Sequence, residues 1–525
     1  MPVPSAAPFE LVLADSSGPA TVVKVTSTAF EVVPDGVSAV DRTFLDTADA
    51  RLRDDGLVLE QTGGGPGEPV RLTLLEGGSP ARQAQITPAR GDRLLLSDIP
   101  DGPVRSRLAP VVDVRALLPQ ARVRSRLRSY RLLNRDRKTV VRLVIEQADV
   151  RRRSQRAAHL RTRVRLLPVR GYGRALAKAR AALESAPELE LAKESLVNEA
   201  ITVAGGEFLV TVDPAAGLRP DLPAVAAAAV VCLRLADVVE ANLPGTLADL
   251  DTEFLHDLRV AVRRSRSVLR ELKSALPAEE TRRVRETLRW VQQLTGPTRD
   301  LDVHLLEWDD TVATLREATA ADLALLRRAL EQHRDEAFVA LRRALRGSEF
   351  KGGWAEWRSY LEALAADAEP RGLPLAKVAG RRIRNLYGRM VADGSEIDAD
   401  SPPQALHELR KRGKELRYLL EHFGPLWPPE AVKPLVSALK GLQDVLGRFQ
   451  DRQVQADYLR GHAVQLVSEP GGTDALLALG LVLDRLADDQ ARAREAFATR
   501  FARFAAKDVT RSVQAIFRAR HAVAA

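Results

Sequence analysis

The chain has 525 residues, of which 45% are apolar, so it exceeds one ordinary domain and can build at least two packed cores. Its 79 Lys and Arg against 70 Asp and Glu give a formal charge of +9, which points to an anionic partner. A single cysteine, Cys232, excludes an intramolecular disulfide framework. Residues 1–10 lack the features of a signal peptide, and the longest apolar stretch, residues 224–233, is too short to span a bilayer. These features predict a soluble cytoplasmic protein without a membrane partner.

The first 205 residues contain mostly short strand patterns separated by turn signals. Thr21 to Ser27, Val70 to Leu75 and Thr139 to Gln147 are predicted strands, and a helix is predicted from Gly173 to about Ser185. Residues 206–221, which are rich in Gly and Pro, form a predicted linker. The pattern predicts a mainly antiparallel β domain at residues 1–205.

Positive charge is concentrated between residues 121 and 165, where 16 basic residues stand against 3 acidic ones. The local charge of +13 leaves a remainder of about −4 for the rest of the chain. Two runs of arginine occupy alternate positions, and alternate residues share one face of a strand. These runs are Arg122, Arg124, Arg126 and Arg128, and Arg161, Arg163 and Arg165. Two interpretations stay open: a solvated sheet face, or an arginine-lined tunnel or groove that forms a second anion site.

From residue 224 onward, segments rich in Ala, Leu and Arg predict an all-helical domain of bundle type, interrupted at positions such as Leu243-Pro244-Gly245. Within it, residues 256–303 align without a gap on residues 407–454, at an offset of 151. Twelve of the 48 aligned positions are identical, against about three expected by chance. The domain is therefore predicted to hold two copies of one bundle, related by a pseudo-twofold axis.

The first helix of the repeat carries a cationic stripe beside an apolar one. Arg259, Arg263, Arg266 and Arg270 fall within an arc of about 80°, next to His256. The second copy repeats this arc with His407, Arg410, Lys414 and Arg417. Other charges do not repeat, since Glu415 replaces Arg264 and Glu421 replaces Arg270. A solvated face would not be expected to keep a cationic register after 151 residues.

Two roles for these cations stay open. Arg259 and Arg410 could pair with Asp300 and Asp451 and lock one helix to another, because the aspartates repeat at the same offset. Alternatively, an elongated polyanion could lie along both helices, with the histidines supplying hydrogen bonds or extra charge.

Other chemistries fit the residues less well. A metal site on the histidines lacks a second ligand one turn later, where Val260 and Lys411 stand. No Ser or Cys occupies a recognisable nucleophile motif. Nucleic acid is disfavoured because aromatic residues are only 5% of the chain and are not interleaved with the basic residues. We predict no catalytic residues, metal or cofactor.

The segments HDLRVAVRR (His256 to Arg264) and LTGPTRDLDV (Leu294 to Val303), repeated as HELR from His407 and LGRFQD from Leu446, resemble the CHAD family, the conserved-histidine α-helical domain. The resemblance covers about residues 222–520, with a first helical repeat at 222–365 and a second at 375–520. It implies two four-helix bundles around a basic channel that binds inorganic polyphosphate and can direct a protein to polyphosphate granules. The implied contacts are His256, Arg259, Arg263, Arg266, Arg289, Lys377, Arg381, Arg384, His407, Arg410, Lys414, Arg417 and Lys440.

CHAD domains often follow a CYTH domain, the triphosphate tunnel fold, and residues 1–205 resemble a degenerate copy. The segment RTFLDT from Arg42 is similar to the Tyr-Phe-Asp-Thr segment of that family. Its Glu-x-Glu-x-Lys signature is reduced to Glu10, with Val12 and Ala14 in the other two places. A tunnel triphosphatase needs carboxylates to hold the divalent cation that activates water, so hydrolysis is expected to fail. The resemblance implies an antiparallel tunnel that binds phosphate chains without cleaving them, or a scaffold.

The sequence therefore predicts an α+β protein: a tunnel-like or barrel-like antiparallel domain followed by the all-helical domain. The expected function is non-enzymatic binding of inorganic polyphosphate, with a cytoplasmic location at polyphosphate granules. The alternatives are a metal-dependent tripolyphosphate hydrolase in the N-terminal tunnel, and a nucleic-acid-binding or scaffold protein. The oligomeric state and the preferred polyphosphate length do not follow from the sequence.

Overall fold

A division between residues 211 and 212 separates the chain into two units, Met1–Thr211 and Val212–Ala525. The division falls inside the segment predicted as a linker, residues 206–221. The computed structural model describes residues 9–63, 69–77, 79–86, 93–151, 157–206, 208–209, 213–313, 321, 323–366, 372–467 and 470–518. The chain is of the α+β class, with an antiparallel sheet in the first unit and helices in the second.

The first unit is built on a sheet that has ten strands among the described residues. The strands are β1 (Glu10–Leu13), β2 (Glu31–Thr47), β3 (Leu57–Gly63), β4 (Val70–Glu76), β5 (Ser79–Ile86), β6 (Leu117–Leu133), β7 (Thr139–Val150), β8 (Ala158–His159), β9 (Arg163–Pro168) and β10 (Leu189–Leu191). Their order is β10-β1-β9-β7-β6-β2-β3-β4-β5, with β8 paired to β7. The predicted strands at residues 70–75 and 139–147 are confirmed by β4 and β7.

Five α-helices accompany this sheet in the described part of the first unit. They are α1 (Pro19–Ser27), α2 (Arg51–Asp54), α3 (Pro103–Val112), α4 (Gly173–Glu184) and α5 (Leu196–Ala204). The predicted helix at residues 173–185 is confirmed by α4. The predicted strand from Thr21 to Ser27 is wrong, because these residues belong to α1. Pro19 starts α1 at a position that suits its fixed φ, and the buried Val22 packs into the core of the sheet, one turn before the buried Thr26.

The second unit is helical. Its helices are α6 (Ala224–Ala248), α7 (Thr252–Glu271), α8 (Ala278–Leu294), α9 (Gly296–Leu306), α10 (Trp308–Ala313), α11 (Ala324–Arg346), α12 (Ser348–Ala366), α13 (Leu375–Ser395), α14 (Pro403–Phe423), α15 (Pro429–Leu466), α16 (Gly472–Phe504) and α17 (Lys507–Arg518). A continuous apolar core runs through both halves of this unit. No helix in the described part of the chain combines the length and hydropathy that a membrane span requires.

The offset of 151 residues relates helices beyond the 48 aligned positions. It carries the first residue of α6 onto that of α13, of α7 onto that of α14, and of α8 onto that of α15. The starts of α6 and α13 also exchange backbone hydrogen bonds. Ala224 N donates to Leu373 O over 3.1 Å, and Leu375 N donates to Leu222 O over 2.8 Å. Each bond is the counterpart of the other at the same offset.

One predicted interruption is wrong. The motif Leu243-Pro244-Gly245 lies inside α6, which continues to Ala248. Thr246 Oγ1 donates to Asn242 O over 3.0 Å within this turn. A side chain at Gly245 would stand 2.2 Å from the Phe254 ring of α7, so the glycine permits close packing of the two helices. Tertiary packing therefore overrides the local signal to end the helix.

Candidate anion-binding site

Helices α7 and α14 pack against each other and are joined by two salt bridges. Arg264 lies 3.3 Å from Glu421, and Arg270 lies 3.1 Å from Glu415. Residue 264 corresponds to residue 415, and residue 270 to residue 421, so the two bridges are counterparts of one another. If the charges had repeated, arginine would face arginine at both contacts. The two positions at which the repeat reverses charge therefore form salt bridges between the two copies.

A cavity of about 410 Å³ lies beside this contact. It is lined by three consecutive turns of α7, by one face of α8 and by the middle of α14. Eight of its lining residues are cationic: Arg263, Arg266, Arg270, Arg282, Arg285, Arg289, Lys411 and Lys414. Two are acidic, Glu286 and Glu415. The cavity therefore carries a strong excess of positive charge that both copies of the repeat supply.

The cations of the cavity differ in how far they are neutralised. Arg270, Arg282 and Lys411 bind glutamates. Within the described part of the chain, the remaining five have no salt bridge: Arg263, Arg266, Arg285, Arg289 and Lys414. Arg263 instead lies over the ring of Tyr418, with 5.6 Å between its guanidinium carbon and the ring centroid. Five cations without salt bridges repel one another across this cavity, and the arrangement suits an anionic ligand.

Lys414 is the most strongly perturbed cation of this cavity. Its pKa is lowered to about 8, mainly by burial and then by the positive charges of Arg410, Arg263 and Arg417, against the opposing effect of Asp451. These groups lie on three helices, α7, α14 and α15. The ammonium group is therefore held where its own protonation works against folding.

Replacing Lys414 by Met should stabilise the protein at neutral pH. Because the folded state lowers the lysine pKa, the energetic cost is fully present below about pH 8 and disappears as pH rises towards the unfolded value. We expect Lys414→Met to raise the free energy of unfolding at pH 7 by about 1–3 kcal/mol. Urea denaturation at pH 7 and pH 10, followed by helical circular dichroism, should show that the gain shrinks at the higher pH. A loss of stability at pH 7 would contradict the assignment of an uncompensated buried charge.

The histidine end of α7 differs in character from the cavity. Burial, with the positive charge of Arg299, lowers the pKa of His256 to about 4, so the ring is neutral at physiological pH. The low pKa of His256 favours its role as a hydrogen-bonding group over its role as an extra charge. Arg259 donates to Thr295 Oγ1 over 2.9 Å and to Gln292 O over 3.2 Å. The carboxylate of Asp300 acts on it electrostatically, without a salt bridge between the two described residues.

In the second copy, the arginine takes the helix-locking role. Arg410 donates to Asp451 Oδ1 over 2.9 Å and so ties α14 to α15. His407 Nδ1 lies 2.6 Å from Gln450 Oε1. The helix-locking pair, one of the two roles left open by the sequence, is thus present as a salt bridge in the second copy, whereas Arg259 of the first copy bonds a hydroxyl and a carbonyl oxygen.

His256 and two neighbouring carboxylates form a cluster of ligand types that bind cations. The side chains of Glu253, His256 and Asp257 place ligand atoms within 4.8 Å of one another. The sequence disfavours a metal here because Val260 stands one turn after His256 and Gln404 replaces Glu253 in the second copy, and Asp257 was not among the candidate ligands. Arg299 lies 3.6 Å from Glu253, and its guanidinium group supplies a positive charge at this cluster without a metal.

The cavity gathers some of the predicted contacts and not others. Arg263, Arg266, Arg289 and Lys414 line it together. Among the described residues, the remaining predicted contacts lie outside its lining: His256, Arg259, Lys377, Arg381, Arg384, His407, Arg410, Arg417 and Lys440. Of these, Arg259, Arg410 and Arg417 stand close enough to Arg263 or Lys414 to affect the charge there.

Sequence reasoning missed two arginines of α8. Arg282 and Arg285 share a helix face with Arg289, because residues three and four positions apart are neighbours on a helix. This spacing was visible in the sequence. The repeat did not reveal Arg285, however, because the second copy has Val436 at the corresponding position.

The two arginine runs of the first unit lie on opposite faces of the sheet. Leu127 of β6 pairs with Glu146 of β7, which pairs with Arg163 of β9. Directly paired residues share a face, so Arg163 and, two residues later, Arg165 lie on the side of Leu127, away from the run at 122–128. The two runs therefore do not line one tunnel or groove. Arg122, Arg124 and Arg126 are exposed, and Arg128 is half-buried.

The run at 161–165 is neutralised by carboxylates. Arg163 is completely buried and donates to Glu10 Oε2 over 2.6 Å and to Glu199 Oε2 over 2.5 Å. Arg161 contacts Glu194 and Glu199. Arg165 binds Glu146, which also accepts from Arg42. This side of the sheet holds an ion-paired cluster, in contrast to the cavity of the second unit.

Glu146 shows how strong this pairing is. Burial alone would raise its pKa, but the guanidinium groups of Arg42 and Arg165 hold the pKa below its usual range. Glu10, the remaining residue of the expected carboxylate signature, is bonded to Arg163. The carboxylates on this face thus serve as partners of arginines.

A family model matches a large part of the helical unit. The family model of the CHAD domain matches residues 231–460. This stretch is a CHAD domain. It contains α7, α8 and α14, and therefore every residue that lines the cavity.

Relatives and solved structures extend this comparison. Two uncharacterized proteins of Mycobacterium tuberculosis, MT2285 and Rv2226, are each 26% identical to the chain over 255 residues. The match covers 46% of this chain and 46% of each relative, so it spans about half the length of either relative. The chain is also similar to the CHAD domain of the plant Ricinus communis, at 21% identity and a TM-score of 0.46, over 55% of this chain and 94% of that one. PptA from Streptomyces chartreusis gives 18% identity and a TM-score of 0.42, over 53% and 99%.

Proposed function

We propose that the protein binds inorganic polyphosphate in the cationic cavity of its CHAD domain, without hydrolysing it, and associates through this ligand with polyphosphate granules in the cytoplasm. The CHAD family is associated with polyphosphate binding. The observation that carries the proposal is the cavity itself, in which five of eight lining cations have no salt bridge among the described residues. A phosphate polymer would neutralise several of these charges at once.

The chemistry of the lining favours phosphate over other anions. Guanidinium groups bind phosphate oxygens in a bidentate manner, and four of the five uncompensated cations are arginines. The arginines of α7 and α8 follow the helix axes with spacings of three and four residues, so they form two rows rather than one point. Two rows of cations suit an elongated ligand that presents charge along its length.

The cavity suits nucleic acid less well than a phosphate polymer without bases. The one aromatic ring that lines it within the described chain, Tyr418, is covered by Arg263. Binding of single strands normally uses exposed aromatic rings on which bases stack. A ligand of phosphates without bases needs no such platform.

The same proposal includes two finer points of architecture. We infer that the CHAD domain consists of two four-helix bundles related by a pseudo-twofold axis, which the reciprocal hydrogen bonds and reciprocal salt bridges support. We also infer that residues 1–205 are a degenerate CYTH-like domain that does not catalyse hydrolysis. The pairing of Glu10, Glu146 and Glu199 with arginines supports this, since the carboxylates are not available as cation ligands.

Titration of the full chain with long polyphosphate tests the proposal. If about five cations are neutralised, affinity should fall about 100-fold between roughly 50 and 200 mM salt, because each neutralised charge contributes about 0.7 to the logarithmic slope. Incubation with tripolyphosphate and magnesium or manganese should release no phosphate. Absence of binding, or phosphate release that is lost on replacing Arg42, would overturn the proposal in favour of the hydrolase alternative.

A further inference from the structure

The two copies of the repeat present unequal sets of cations. The first copy offers Arg266, Arg285 and Arg289, which we call the arginine triad. The corresponding residues of the second copy are Arg417, Val436 and Lys440. The sequence repeat alone would suggest two equivalent anion sites, because two of the three positions keep a positive charge. The contacts around each set show that they are not equivalent.

The arginine triad faces one cavity and has no salt bridge within the described residues. Arg285 and Arg289 lie one turn apart on α8, and Arg266 faces them from α7. Burial lowers the pKa of Arg266, and the charges of Arg270, Arg285 and Arg289 lower it further, so the triad is close enough for mutual repulsion. Repulsion among three arginines is relieved when an anion binds between them.

The second set offers fewer cations to a ligand, because one is paired, one position is apolar and one cation lies outside the cavity. Arg417 forms a salt bridge with Glu421, one turn later on α14. Val436 is 43% exposed and brings no charge, and Lys440 is exposed on α15 outside the cavity. Only one cation of this set therefore combines exposure with freedom from a salt bridge in the described chain.

The two sets of cations differ because of a carboxylate at the contact between α7 and α14. Glu421 is the partner of Arg264 across the contact between α7 and α14. The same carboxylate lies beside Arg417 and binds it as well. The corresponding residue of the first copy is Arg270, which cannot neutralise Arg266. The carboxylate at position 421 thus neutralises Arg417 in the second copy, whereas Arg270 at the corresponding position leaves Arg266 without a salt bridge among the described residues.

We propose that the arginine triad is the principal phosphate-binding subsite of the cavity, and that the corresponding face of the second copy is chiefly structural. The proposal rests on polyphosphate as the ligand. It assigns a binding role to Arg285, and it separates Arg289 from Lys440, which the repeat treats as equivalent. Consecutive phosphates of one chain would lie between α7 and α8.

Matched double variants test this assignment. Arg285→Gln with Arg289→Gln removes two positive charges from the exposed face of α8. Lys433→Gln with Lys440→Gln removes two from the corresponding face of α15. Residues 433 and 440 correspond to 282 and 289, and glutamine keeps good helix propensity at all four positions. Binding of long polyphosphate is measured for the full chain by fluorescence anisotropy, with circular dichroism as the check on folding.

We expect the α8 double variant to bind at least about 20-fold more weakly than the unaltered chain, and the α15 double variant to bind within about threefold of it. Equal losses would overturn the inference while leaving polyphosphate binding in place. A larger loss for the α15 variant would overturn it in the same way. If the unaltered chain binds no polyphosphate, the proposed function fails first, so the two failures are distinguishable.

Discussion

Reversing Arg263 and Lys414 to glutamate together should weaken polyphosphate binding by at least about 100-fold. The two residues correspond at the offset of 151, line the same cavity, and carry no salt bridge among the described residues. Charges near a protein surface interact by about 1–4 kcal/mol at 4 Å. Removing two attractive contacts and adding two repulsive ones therefore costs at least about 4 kcal/mol at this separation. A loss of about 100-fold corresponds to about 2.7 kcal/mol, which allows for contacts longer than 4 Å.

The matched control changes the same charge elsewhere in the helical unit. Arg283 on α8 and Arg328 on α11 are exposed and lie outside the cavity. Arg283→Glu with Arg328→Glu should leave affinity within about threefold, because it alters net charge without altering the site. Both double variants should keep the helical circular dichroism of the unaltered chain. An equal loss in the control would mean that net charge, rather than the cavity, drives binding.

Replacing Arg163 by methionine should destabilise the first unit by about 3–5 kcal/mol. The guanidinium is completely buried between Glu10 and Glu199, and it also donates to Glu194 O over 2.9 Å. Removal of one partner from a buried ion pair leaves an uncompensated charge, which costs about 3–5 kcal/mol. Hydrogen exchange at backbone amides of β1, β7 and β9 measures the local free energy of opening in the full chain.

Arg126 supplies the matched control for this experiment. It lies on an exposed position of β6 within the other arginine run, and it has no salt bridge in the described part of the chain. Arg126→Met should change stability by less than about 0.5 kcal/mol, as is usual for surface substitutions. Similar effects of both substitutions would contradict the contrast between an ion-paired face and a solvated one.

The sequence predicted several parts of this architecture because they depend on local patterns. Alternating arginines placed β6, and helical periodicity placed α7 and α14. The offset of 151 relates these two helices from the sequence alone. The strand predicted from Thr21 to Ser27 is wrong. β-Branched residues favour strands locally, but the packing of Val22 against the sheet favours the helix α1.

The electrostatic design of the site could be predicted only in part. The cationic register of α7 was visible, but the reason for the reversed charges at 415 and 421 required the contact between α7 and α14. Likewise, nothing in the alternation of Arg161, Arg163 and Arg165 shows that glutamates from β1, β7 and α5 neutralise them. Pairing between distant segments depends on tertiary structure, and it decides which cations remain available for a ligand.

The most direct test of polyphosphate binding is a comparison of two polyanions on the unaltered chain. Long polyphosphate and single-stranded DNA are titrated at matched phosphate concentration and the same salt. Because the cavity offers arginines without exposed stacking surfaces, polyphosphate should bind at least about tenfold more tightly. Equal affinity for the two polymers, or tighter binding of DNA, would contradict the account.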